Sequence, residues 1–143
     1  MSEKKKIYYV YDALCGWCYG FSPVMVKIKE DFSSHFIFEA ISGGMVLGDR
    51  VGPAKNMFGY ISEAHKVVEE RTGVKFGEAF FKNILNSEKY LMSSETACIA
   101  MTAFKYFDVE HSIDFAHAIQ KAFYFEGKSI NEVETYYHLI SDF

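Results

Sequence analysis

Proline is almost missing from this chain: Pro23 and Pro53 are the only two in 143 residues. At the usual share of about 5%, about seven would be expected. So few prolines favour long helices over a many-turned β fold. A basic surplus is missing too, since 15 Lys and Arg stand against 19 Asp and Glu for a net charge of −4. That excludes a general nucleic-acid footprint, which needs clustered positive charge. No stretch approaches the roughly 20 apolar residues of a membrane span. The N-terminal stretch has neither the apolar run nor the small-residue cleavage site of a signal peptide. The expectation is a cytoplasmic protein with no membrane and no nucleic-acid partner. Cysteine is also scarce, with only Cys15, Cys18 and Cys98. In a reducing compartment a cysteine pair is more often catalytic or metal-binding than a structural staple.

What the chain does contain is apolar and aromatic. Half of its residues are hydrophobic, 17% are aromatic and 24% are charged, which describes a folded domain and not a disordered one. Lys4, Lys5 and Lys6 read as a solvated lead-in to the apolar run 7–12 (IYYVYD), short enough for a buried strand. From Cys18 the period becomes helical: Phe21, Val24, Met25, Ile28 and Phe32 share one face. Residues 36–42 predict a second buried strand, closed by Gly43 and Gly44. Strand, helix, strand with short connections is a βαβ unit with parallel strands.

After residue 50 the pattern is helical throughout. Met57, Tyr60, Ile61, Ala64 and Val67/Val68 form a stripe ended by Gly73, and Phe80, Phe81, Ile84 and Leu85 form another. Ser93 or Ser94 can cap a helix running to about Phe107 that is apolar on nearly every face, which predicts a helix at the centre of a bundle. Phe115, Ala116, Ile119, Ala122 and Phe123 follow as a stripe ended at Gly127. Ser129 to Glu132 reads as a capping box for a last helix with Val133, Tyr136, Tyr137 and Ile140 inward.

The segment that carries chemistry is Asp12-Ala13-Leu14-Cys15-Gly16-Trp17-Cys18-Tyr19-Gly20-Phe21-Ser22-Pro23. Two cysteines three positions apart sit where a strand passes into a helix. The first lies at the helix N-terminus, where unpaired N–H groups and the positive dipole end stabilise an anion. A thiolate is such an anion, so Cys15 should ionise more readily and attack faster at neutral pH. Cys18 lies one turn in, close enough to close a disulfide. Three readings compete: zinc, a chance structural pair and redox chemistry. Zinc needs four ligands, and Cys98 and the five histidines are scattered, so no metal is expected. Buried cysteines are common, but rarely at a strand-to-helix turn. Redox chemistry remains: Cys15 forms a mixed disulfide that Cys18 resolves.

A strand, CxxC at a helix start and a proline five residues on resemble the thioredoxin pattern. Cys-x-Trp-Cys-Tyr, after Asp12, resembles more closely the DsbA-like branch, with its FrnE-like and protein-disulfide-isomerase members. The resemblance implies a thioredoxin-like α/β fold, with strands at about 7–12 and 36–42 and a large helical insertion at about 53–141. It divides the chain into 1–49, the N-terminal half of the thioredoxin-like domain, and 50–143, the inserted helical domain. It implies a thiol–disulfide oxidoreductase, isomerase-like, with Cys15 as nucleophile and Cys18 as resolving thiol. Gly16 and Trp17 would tune the potential, Trp17 and Tyr19 would contact substrate, and Pro23 would be the helix kink. No cofactor beyond the redox pair is expected, with glutathione as an optional co-substrate and a protein or small thiol or disulfide as substrate. The alternatives are a glutathione-dependent isomerase or transferase on the same fold, and a truncated chain without full activity.

Asp12 and Glu39 are further candidates. Asp12 orients the loop or ends the strand. Glu39 either faces solvent at a sheet edge or assists proton transfer near the thiols. Cys98 reads as a core thiol. The family places a cis-proline opposite the CxxC pair, followed by two more strands. Neither Pro23 nor Pro53 can serve, so the C-terminal half of the thioredoxin sheet is expected to be absent. The first strand would then keep an open edge through which copies could associate.

Overall fold

The structure, a computed structural model, describes residues 3–143. β1 (Lys5–Tyr11) and β2 (Phe36–Ser42) are joined by α1 (Gly16–Phe32). They pair in parallel from Lys5 opposite Phe36 to Tyr11 opposite Ser42. The βαβ unit thus stands where the apolar runs place it. β1 starts earlier than expected, so Lys5 and Lys6 are strand residues and not lead-in. The reading of β1 as buried on both faces is corrected as well: Ile7, Tyr9 and Tyr11 turn inward while Tyr8 and Val10 are exposed. The other face of the sheet is open along β1 and half-covered at Glu39 and Ile41 of β2.

Beyond β2 come short 3-10 turns at Gly48–Arg50 and Ala54–Met57, then α2 (Phe58–Thr72). α3 (Glu78–Phe80) runs on into a π-helical turn at Phe81–Leu85. α4 (Glu95–Asp108), α5 (Ser112–Tyr124) and α6 (Val133–Ile140) complete the insertion. One feature is not helical. β3 (Gly52–Pro53) and β4 (Leu91–Met92) form a small antiparallel ladder that ties the start of the insertion to its middle. Two residues per strand are too few to leave a period-2 signal.

The central helix is α5, not α4. α5 packs against α1, β2, α4 and α6, and of its residues only Lys121 is exposed. Phe115, Ile119 and Phe123 are wholly buried in it, and so are the polar Ser112 and Gln120. α4 buries Ala97, Met101 and Phe104 but leaves Ile99, Tyr106 and Phe107 in solvent, Phe107 at 87% exposure. Its apolar sequence exceeds what its neighbours cover. Phe104 of α4 stacks on Phe115 with ring centroids 4.1 Å apart. Ser112 accepts the backbone N–H of Ala40 at 2.9 Å, so the outer edge of β2 is met by the start of α5. The α1–α5 contact also carries two polar pairs, Ser22 with His117 and Lys29 with Asp114. One apolar core therefore runs from Tyr11 and Phe38 in the sheet to Phe123 and Tyr136 in the helices, across the expected boundary at residues 49 and 50.

One capping expectation is corrected and one is met by the first of its two serines. Ser129 caps nothing in α6, which starts at Val133; the Ser129 hydroxyl instead accepts the N–H of Asn131. The Ser93 hydroxyl accepts the Glu95 N–H, the first of α4, at 3.2 Å, while Ser94, the residue at the start of α4, makes no side-chain cap bond there. Its hydroxyl is engaged elsewhere, as the site shows.

The two aromatic helices predict opposite outcomes. Phe115→Ala should cost about 3–5 kcal/mol, the range for emptying a packed aromatic site. Phe107→Ala should stay within about 0.5 kcal/mol. Urea unfolding of both variants checks this, and a large loss at Phe107 would contradict the exposed placing of α4.

Candidate active site

The chain leaves β1 at Tyr11 and reaches the first turn of α1 through four residues, 12–15. Asp12 organises them. Its carbonyl accepts the N–H of Cys15 at 3.1 Å, closing a turn. Its carboxylate is buried and accepts three hydrogen bonds. Leu14 N–H donates to Oδ1 at 3.0 Å, an Asx-type turn, and the Ser94 hydroxyl donates to the same oxygen at 2.8 Å. Met45 N–H donates to Oδ2 at 2.8 Å. One carboxylate thus links the end of β1, the segment leaving β2 and the start of α4. The Ser94 oxygen in turn accepts the Val46 N–H at 3.1 Å, and not an N–H of its own helix.

Cys15 is the N-cap of α1, in extended backbone conformation, and its sulfur accepts the N–H of Cys18 at 3.2 Å. A thiolate in this position replaces the hydroxyl or carboxylate oxygen usual at an N-cap. The Cys15 thiol is lowered to about 6: the Cys18 thiol hydrogen-bonds to it, partial burial opposes, and the N–H groups of Cys18 and Trp17 add to the lowering. Cys18 is pushed the other way, first by its hydrogen bond to Cys15 and then by burial. One sulfur is therefore poised as an anion and the other holds its proton. Cys15, Cys18 and Cys98 are all free thiols here.

The other sequence candidates fall into groups. Gly16 opens α1, and Trp17 is half exposed beside it. Pro23 lies within α1, whose helix continues through it to Phe32. Gly20 lets α2 approach, since a Cβ there would stand 2.7 Å from the Thr72 side chain. Tyr19 turns inward: it is buried, its hydroxyl donates to Lys75 O at 2.6 Å, and its ring packs against Tyr124 and Phe76. It supports the turn from behind and presents no free hydroxyl. Glu39 is held by Lys6 and Lys105, each at 3.1 Å, on a strand at the edge of the two-stranded sheet. Cys98 is half-buried, and burial raises its thiol. Among the described residues, no three of His, Cys, Asp or Glu gather to hold a metal.

A cleft of about 380 Å³ opens beside Cys15 and Trp17. Ligand pockets span roughly 300–1,000 Å³. Its walls are apolar, with Met45, Met57, Tyr60, Ile61 and Phe76 among them, and Arg50 stands in the lining as its one permanent cation. Arg50 donates to Met45 O at 3.2 Å and has no carboxylate partner among the described residues. The stripe on α2 that reads as core from its spacing thus faces, in part, the cleft beside Cys15.

Three site residues were not legible as such. Ser94, Gln120 and Tyr124 lie far along the chain and reach back to residues 12–15. Only Gln120 left a signal, as a lone amide within the apolar run of α5.

Comparison with protein-family models and with curated proteins gives no match. Solved structures do match. A candidate protein disulfide isomerase from Nitrosomonas europaea aligns with TM-score 0.78 at 26% identity, over 98% of this chain and 65% of its own. The cytosolic disulfide reductase DsbM from Pseudomonas aeruginosa aligns with TM-score 0.83 at 26% identity, over 96% of this chain and 63% of its own. The same reductase with GSH aligns with TM-score 0.82 at 26% identity, over 96% of this chain and 64% of its own. The fold is therefore that of the DsbA-like thioredoxin class, with a βαβ unit and a helical insertion. Within that class the chain is similar to disulfide isomerase and reductase proteins, and it spans slightly under two thirds of their length.

The Asp12 network has a measurable cost when broken. Asp12→Ala leaves Leu14 N–H, Met45 N–H and the Ser94 hydroxyl without their acceptor. Hydrogen bonds to a charged group are each worth about 1.5–3 kcal/mol, so a loss of at least about 3 kcal/mol is expected. Asp12→Asn should lose less, because one oxygen remains. Denaturant midpoints for both check the order; equal, small losses would show the carboxylate to be dispensable.

Proposed function

We propose that this chain performs thiol–disulfide exchange at Cys15 and Cys18, as an oxidoreductase of the disulfide reductase and isomerase type. The observation that carries the reading is the Cys18 N–H directed at the Cys15 sulfur at the start of α1. In the reducing direction, the Cys15 thiolate attacks one sulfur of a substrate disulfide. A Cys15–substrate disulfide forms and the other substrate sulfur leaves as a thiolate. Cys18 then loses its proton and attacks the Cys15 sulfur, releasing the second substrate thiolate. Two electrons pass from the dithiol to the substrate, and Cys15–Cys18 remains as a disulfide. Run backwards, the same steps oxidise a dithiol; an isomerase uses the first step and its reversal.

Glutathione is the small thiol we assign to the cleft. A structural neighbour is described with GSH, and here a cleft whose arginine has no carboxylate partner among the described residues adjoins Cys15. Arg50 would face one of the glutathione carboxylates, and the apolar wall would take its aliphatic part. A cytosolic neighbour supports a cytoplasmic setting, and no described helix is long and apolar enough to cross a membrane.

The pH profile of Cys15 alkylation tests the chemistry. The expected midpoint is about 6, with reactivity rising as pH passes through it because the thiolate is the attacking form. Cys15→Ser should abolish reduction of a disulfide probe, and Cys18→Ser should trap the mixed disulfide. A midpoint near the ordinary value of about 8.5, with no disulfide turnover, overturns the reading. If glutathione transfer or isomerisation persisted in Cys15→Ser, the transferase alternative would replace it.

Association is a second proposal. The outer face of β1 presents Tyr8 and Val10 to solvent, and β1 pairs only with β2 among the described residues. A second copy of the chain would cover that edge. Light scattering should then give a mass that rises with concentration, and a constant monomer mass would refute it.

A further inference from the structure

Gln120 lies in the middle of α5, wholly buried. Its side-chain Nε2 donates to Asp12 O at 3.0 Å and to Cys15 O at 3.1 Å, with Ala13 O at 3.5 Å between them. Those two carbonyls are the two ends of the active turn. Asp12 O closes the turn onto Cys15 N–H, and Cys15 O accepts the first α-helical bond, from Tyr19 N–H at 3.1 Å. Four residues on along α5, the buried Tyr124 hydroxyl donates to Leu14 O at 2.6 Å. Every carbonyl from Asp12 to Cys15 thus faces α5, and one amide holds both ends of the segment.

The arrangement leaves a buried acceptor unpaired. Gln120 Oε1 is buried with no hydrogen-bond donor among the described residues. Rotating the amide would give it no relief, because the oxygen would then face three carbonyl oxygens. The contacts therefore dictate the orientation. An unpaired buried oxygen is unfavourable, and native proteins carry few. An apolar side chain of similar length would avoid it. The amide is explained by what its nitrogen does.

We propose that Gln120 is a positioning residue for the Cys15–Cys18 pair: by pinning the Asp12 and Cys15 carbonyls together it sets the direction of the Cys18 N–H toward the Cys15 sulfur. The inference rests on the thiol-exchange reading above and adds to it a residue on a helix remote in sequence. With the amide gone, the turn samples more than one placement relative to α1. The N–H to sulfur contact is then averaged, and the thiolate loses part of its support. Asp12 cannot replace this, since its carboxylate binds N–H and O–H groups and none of the carbonyls.

The test uses the full chain and follows Cys15 alkylation against pH in Gln120→Met and Gln120→Glu. Methionine keeps the volume and removes the donors. Its midpoint should rise by about one pH unit, which is a tenfold loss of thiolate at a fixed pH below both midpoints. Glutamate keeps the shape but replaces the two-donor amide with an acid, and as an anion it would add negative charge beside the sulfur. Its midpoint should rise at least as far. A lower melting temperature with midpoints within about 0.2 unit of the parent would mark Gln120 as merely structural and overturn the proposal. Should neither variant fold, the unaltered chain supplies the readout. The Gln120 side-chain amide signals in an NMR titration should move with the Cys15 midpoint, and a flat trace would overturn it. The two failures are separable: an ordinary midpoint in the parent removes the functional reading itself, whereas a low parent midpoint unmoved by either variant removes Gln120 alone.

Discussion

A single backbone N–H directed at a sulfur is the contact on which the site depends. Cys15 occupies the N-cap of α1, and the Cys18 N–H reaches its sulfur at 3.2 Å. The first N–H groups of a helix have no partner within it, so an anion at the cap is stabilised in place. That contact requires the strand to end, turn and enter the helix in one definite way. The surroundings of residues 12–15 can be understood as the means of holding that turn.

The means come from three directions. From within the turn, the Asp12 carboxylate takes the Leu14 N–H, and its carbonyl takes the Cys15 N–H. From the side, Met45 and Ser94 complete the same carboxylate. From beneath, Gln120 and Tyr124 take the carbonyls. Donors meet carbonyls and acceptors meet N–H groups, so nearly every backbone polar group of a buried loop is satisfied. Both cysteines stay half-buried above, and Cys15 lines an apolar cleft. A rigid base under a partly open pair is what exchange chemistry needs: the thiolate must meet its substrate, and the second thiol must reach back without the turn unfolding.

The fold serves the same end through α5. It is the most enclosed helix, yet it carries Ser112 and Gln120 into the core. Ser112 meets the backbone of β2 and Gln120 meets the active turn. The insertion therefore shares a core with the βαβ unit, and its central helix forms the floor of the site. The insertion also supplies the cleft: α2 presents Tyr60, Ile61 and Ala64 above Cys15. Gly20 permits the close approach of α1 and α2 that brings that wall near.

Much of this was legible in the chain itself. Period and punctuation placed α1, β2 and the helical character of the rest, because burying one face imposes a pattern that neighbours in sequence share. CxxC at a strand-to-helix turn marked the candidate site, because helix ends stabilise anions wherever they occur. Other features depended on what packs against what. All-round apolarity in α4 pointed to the core, but α5 took that place, since coverage is decided by neighbours and not by composition. Ser94 carries the sequence mark of a cap, yet its oxygen accepts the Val46 N–H from the segment after β2 while its O–H goes to Asp12, because the tertiary partners meet it on both sides. The alliance of Asp12, Ser94, Gln120 and Tyr124 spans more than a hundred residues, and no local pattern encodes it. The amino-acid sequence by itself determined the cysteine pair and the elements flanking it. Only the tertiary structure decided how the turn is held, because that depends on hydrogen-bond partners that meet only once the chain has closed on itself.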